Sequence, residues 1–184
     1  MGSFSAWHLL LLLIIVAAPI SLIVIVVRRA RLPSPEGVQG PHGFGGWLFI
    51  LAAGQTLVPL FAAGSLIASL PGYPALLVSQ LPNARPLVYA EIGLFLVLIA
   101  IESTVTVAMY RRKRYFRELF QWQYLALSGF GLADAFLVST LLEFPIRQVV
   151  TEQDIGRWIG IIIGQGVWLI YVLRSVRVRN TFIR

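Results

Sequence analysis

The stretch LVYAEIGLFLVLIAIESTVTVAMY occupies residues 87–110, and RRKR follows at 111–114. A helix of about 20 apolar residues spans the hydrocarbon core of a bilayer. This run is long enough, and Glu91 and Glu102 are its only charged side chains. The basic cluster then stops it as a helix is stopped on the cytoplasmic side of a membrane. Four more runs share this character, from about Trp7 to Val27, Phe44 to Leu70, Trp122 to Phe144 and Ile155 to Leu173. The expected fold is all-α, a polytopic transmembrane helical bundle of about five spans.

Composition agrees. Of 184 residues, 58% are hydrophobic and 12% are charged, with mean hydropathy +0.80. Soluble domains carry about 25% charged residues. After five spans, too little chain remains for a sizeable soluble domain. Cysteine is absent, which excludes disulfides, thiolate catalysis and cysteine metal sites. The net charge of +7 would suggest nucleic acid in a soluble chain. Here the basic residues sit between apolar runs, so no nucleic-acid partner is implied.

Charge also sets the orientation. Segments 28–43, 111–121 and 174–184 hold twelve of the fifteen Lys and Arg residues, and Arg85, Arg147 and Arg157 lie elsewhere. Five spans place all three rich segments on one face, which is then cytoplasmic. The N-terminus falls outside and the C-terminus inside. Residues 1–31 read as an uncleaved anchor helix, because their positive charges follow the apolar run. Residues 32–43 read as a cytoplasmic Pro/Gly linker. Residues 44–184 read as a four-helix core with a basic tail. In the loop 71–86, the stretch Ala75–Leu81 is apolar enough to lie at the membrane interface. Trp122, Trp158, Trp168, Tyr89, Tyr110 and Tyr171 fall near span ends, where an aromatic belt is expected.

The opening Met1-Gly-Ser-Phe-Ser-Ala-Trp-His8 and its leucine run resemble the start of small twin-arginine translocase subunits. The likeness is superficial. The glycine hinge and amphipathic helix expected next are replaced by Arg31-Leu-Pro-Ser-Pro35. From Gly43 onward the chain resembles a bacterial inner-membrane family, domain of unknown function 2569. The residues that carry this are Gly43-Phe-Gly-Gly-Trp-Leu48 and the tail Ser175-Val-Arg-Val-Arg-Asn-Thr-Phe-Ile183. The resemblance implies a four-helix unit with both ends cytoplasmic and implies no activity.

The intramembrane acidic candidates are Glu102, Asp134 and Glu91. Glu102 lies nine residues before Arg111, roughly 13 Å into the bilayer at 1.5 Å per residue. Asp134 lies midway along its span. A carboxylate at such depth costs at least about 2.5 kcal/mol, so each should face protein or water. The short basic loop makes their helices antiparallel neighbours, so the two carboxyls could approach each other. They could relay a proton or cation, or they could simply fix helix packing. Glu91 precedes Glu102 by eleven residues, close to three turns, so both share a face. Glu91 is near enough to the outer surface to stay solvated. Gln123 and Asp134 repeat that spacing.

Gly156, Gly160 and Gly164 form a small-residue ridge suited to close helix packing, within the chain or against another subunit. Thr151-Glu-Gln-Asp154 resembles a capping box. Pro59 removes a backbone hydrogen bond from its helix, which neighbours must compensate. His8 and His42 fall on opposite sides of the membrane and cannot share a metal. Arg111, Arg112, Lys113, Arg114, Arg177 and Arg179 suit contact with anionic lipid heads. No catalytic constellation, cofactor or metal is implied. The leading expectation is a non-enzymatic accessory, structural or assembly subunit of a larger inner-membrane complex, meeting lipid and either other subunits or copies of itself. The alternative is a small transporter or channel using Glu102 and Asp134.

Overall fold

A computed structural model describes residues 40–79 and 81–183. The anchor 1–31, with its expected fifth span, and most of the linker lie outside the described residues. The described chain is all helix and loop. In order it forms α1 (Trp47–Ser69), a 3-10 turn (Leu70–Gly72), α2 (Tyr73–Val78), α3 (Ala84–Tyr110), α4 (Phe116–Leu141), α5 (Ile146–Val149), α6 (Glu152–Arg174) and α7 (Val176–Thr181). Four candidate spans, Trp47–Val78, α3, α4 and α6, are long and apolar enough to cross a membrane. α1 packs on α3, α3 on α4 and α4 on α6.

The helix ends follow from local chemistry. Gly43 and Gly46 take φ of 73° and 55°, values that glycine adopts freely, and α1 begins directly after them. Asn83 precedes α3 in the left-handed region at φ 57°. Arg112, at φ 52°, helps reverse the chain between α3 and α4. α6 starts at the expected capping box: the Asp154 amide donates to the Thr151 hydroxyl, and the Thr151 amide donates to the Asp154 carboxylate.

α1 continues as one helix through Pro59. A proline there leaves the carbonyl four residues earlier, on Gln55, without its helical donor. The Thr106 hydroxyl of α3 lies 3.1 Å from that carbonyl and 2.8 Å from the Glu102 carbonyl of its own helix, so the two carbonyls share its one proton. Compensation comes from the neighbouring helix, while Thr56 bonds the Ala52 carbonyl and the Tyr110 hydroxyl.

One end of the bundle, here the basic end, carries residues 111–117 and α7. An aromatic core closes it. Phe116 stacks on Phe182 at 4.2 Å, and Phe44 meets Phe182 edge-on at 6.2 Å. The Gly43 amide donates to the Thr181 hydroxyl at 2.8 Å. Segments 43–48 and 175–183, far apart in sequence, therefore lie against each other. Arg112 covers the Phe44 ring at 5.6 Å, and Arg117 donates to the Leu173 carbonyl at 2.9 Å, capping the end of α6.

The bundle is apolar outside, and its apolar interior encloses a few polar residues. Phe61, Phe136 and Ile163 are exposed, whereas Gln55, Glu102, Thr106 and Gln123 are buried. Large exposed apolar faces are unfavourable in water. In a bilayer those faces meet lipid, and polar groups turn to the bundle interior.

Candidate intramembrane site

Two polar layers occupy the interior. The first lies in the half of the bundle nearer the basic end. Gln55 of α1 donates from its side-chain amide to the Gln123 side-chain carbonyl of α4 at 2.9 Å. The same amide approaches the Thr106 hydroxyl of α3 at 3.5 Å. All three residues are buried, and together they tie α1, α3 and α4 at one level. Sequence spacing relates Gln123 to Asp134 and does not relate it to Gln55. Their meeting depends on how three helices rotate about their axes, which periodicity within one helix does not state.

The second layer is a cavity of about 510 Å³ between α1, α3, α4 and α6. Glu102 stands one helical turn from Thr106 and lines this cavity. It is 1% exposed, and its Oε2 has no hydrogen-bond partner. Asp134 lines the same cavity, so the structure brings the two predicted carboxyls to one space. At the far end, opposite the basic end, the lining includes Ser65, Asp154 and Arg157. Ser65 and Arg157 are exposed, so the cavity reaches the surface there. Asp154 and Arg157 are 3.8 Å apart. Phe61, Phe95, Phe130 and Trp158 supply aromatic walls, and the Phe95 and Phe130 rings meet at 4.9 Å.

Glu91 departs from expectation. It is half-buried, and the buried Tyr73 hydroxyl lies beside its carboxyl. Asp134 is within electrostatic range of both. α2 folds back against α3 and removes Glu91 from the open surface that a plain loop would have left. Trp158 also departs from a belt position. A methyl group at Gly131 would overlap its indole, so the missing side chain at Gly131 lets Trp158 form a cavity wall.

The ridge Gly156, Gly160 and Gly164 is exposed. Nothing lies within 4 Å of a methyl built on any of the three. Packing of this ridge within the chain is therefore not found among the described residues, because α6 meets α4 through another face. Of the basic residues matched to lipid heads, Arg111, Arg114 and Arg179 are exposed, and Lys113 is half-exposed. Arg112 lies over Phe44, and Arg177 lies against Gly45 and 3.5 Å from the His42 carbonyl. Among the described residues, no three His, Cys, Asp or Glu side chains converge as metal ligands would.

Long apolar helices with exposed apolar faces and a few buried polar residues define a polytopic helical membrane protein. The chain belongs to the family described as "Protein of unknown function (DUF2569)", which matches residues 41–183. That match contains both segments joined at the basic end and every residue of the cavity. Comparisons with curated proteins and with solved structures return no match.

Proposed function

We propose that this chain is a non-enzymatic membrane protein that takes up a small solute through the intramembrane cavity, in the manner of a transporter. It resides in the bacterial inner membrane with its basic end in the cytoplasm, and the cavity opens outward. The single observation that carries this reading is Glu102, a buried carboxyl with an unpartnered oxygen on the wall of a surface-reaching cavity. An unmet buried acceptor costs about 1–3 kcal/mol. A solute that donates to it recovers that cost. The Gln55–Gln123 layer and the aromatic core block passage at the basic end, which supports an outward-open state of an alternating-access cycle.

Titration of purified protein in nanodiscs with a panel of cationic, neutral and anionic solutes tests this. Saturable binding that is lost in Glu102→Gln supports the reading. Absence of any Glu102-dependent binding opposes it.

A second reading, an accessory or assembly subunit, is favoured by the uncovered glycines of α6. A small-residue ridge allows close approach of another helix. Native-membrane purification would then recover a stoichiometric partner that Gly160→Leu releases. Arg111, Arg114 and Arg179 would contact anionic lipid heads in either case.

A further inference from the structure

The cavity has two acidic poles. Two relationships fix how α3 and α4 lie side by side. Thr106 and Gln123 both meet Gln55, and Phe95 meets Phe130. In that antiparallel register, Glu102 lies opposite residues 123–127 of α4. Asp134 is seven to eleven residues further along, roughly 10–16 Å at 1.5 Å per residue. Between the poles the wall is apolar, with Leu98, Phe95, Phe130 and Trp158.

The charges are one-sided. Arg157, the basic residue of the wall, sits at the mouth beside Asp154. Among the described residues, neither Glu102 nor Asp134 has a basic partner. Two carboxyls this far apart form no cage for one inorganic ion, which needs several oxygens at about 2–2.6 Å. The volume of about 510 Å³ lies in the range of small-molecule pockets, about 300–1,000 Å³. An occupant that matches all of this carries a positive charge at each end and an apolar stem between them.

We infer that the cavity takes a linear di- or polyammonium ion, one ammonium donating to Glu102 and the other to Asp134, with its methylene stem against the aromatic wall. Each ammonium brings three N–H donors and no acceptor, which suits a carboxyl whose Oε2 has no partner, once the Glu102 side chain turns this enclosed oxygen toward the cavity. Phe130, one helical turn from Asp134, offers its ring for cation–π attraction at that pole. This inference rests on the solute-uptake reading and names its substrate class.

Calorimetric titration of the full chain in nanodiscs tests it, using α,ω-diamines of about four to ten carbons, n-hexylamine and 1,8-octanediol. Among the diamines, affinity should pass through a maximum at an intermediate length and exceed that of hexylamine by about tenfold or more. Asp134→Asn should remove that advantage and bring the diamines to about the affinity of hexylamine. Glu102→Gln should weaken both amines by about tenfold or more. Unchanged elution volume and unfolding temperature of the variants certify folding. Equal affinity for hexylamine and every diamine would overturn the two-pole assignment and leave the cavity reading standing. Glu102-dependent binding of the diol in preference to the amines would overturn the ammonium class alone. No Glu102-dependent binding of these probes or of the wider solute panel would overturn both.

Discussion

The Gln55 side-chain amide donates to the Gln123 side-chain carbonyl at 2.9 Å, inside the bundle where α1 and α4 come within reach of α3. Lipid offers such amides no partner, so each holds the other in place. Gln55→Leu or Gln123→Leu alone leaves one buried amide unmatched. Each should cost about 1–2 kcal/mol. The double variant should cost less than the two singles added together, because neither amide then remains. Unfolding of the four proteins in mixed micelles, analysed as a double-mutant cycle, checks this.

Thr106 and Pro59 form a second linked pair. Thr106→Val uncovers the Gln55 carbonyl and should cost about 1 kcal/mol, while Thr106→Ser should be near neutral. Pro59→Ala restores a helical donor to that carbonyl. In the Pro59→Ala background, Thr106→Val should therefore lose most of its effect. Equal costs in both backgrounds would show that the hydroxyl does not compensate for the proline.

Gly131→Ala should drive the Trp158 indole from its place. Overpacking of this kind costs about 1–3 kcal/mol. Trp158→Leu should relieve the clash and recover stability in the double variant. Tryptophan fluorescence should shift in Gly131→Ala, reporting the moved ring alongside the thermal measurement.

The basic end should depend on its aromatic core. Phe182 is 4% exposed and stacked on Phe116. Phe182→Ala should cost about 3–5 kcal/mol, and Thr181→Val, which abandons the Gly43 amide, about 1 kcal/mol. Limited proteolysis near residues 40–46 should accelerate in both variants if the tail holds this segment down.

The helices and the buried carboxyls were legible because lipid makes their signals one-dimensional. A run of about 20 apolar residues is a span whatever its neighbours are, and a carboxyl at depth must face inward. Glu102 and Asp134 needed no more than that. Tyr73 beside Glu91 was not legible, because it depends on a short helix folding back from the end of α1. Trp158 in the cavity wall depends on the space left by Gly131 on another helix. The sequence marks Gly156, Gly160 and Gly164 as a ridge suited to packing, and among the described residues no helix covers it. The Thr151–Asp154 capping box was legible because it closes within four residues.

The absence of cysteine from the sequence allows a direct test of the outward-open cavity. Single cysteines at Ser65 and Asp134 face the cavity, while those at Phe136 and Ile163 face away from the bundle. Intact cells would be treated with a membrane-impermeant thiol reagent from outside. The account predicts rapid labelling of Ser65→Cys and Asp134→Cys and little labelling of Phe136→Cys or Ile163→Cys. Protection of both cavity positions, or their labelling only from the cytoplasmic face of inverted vesicles, would contradict it.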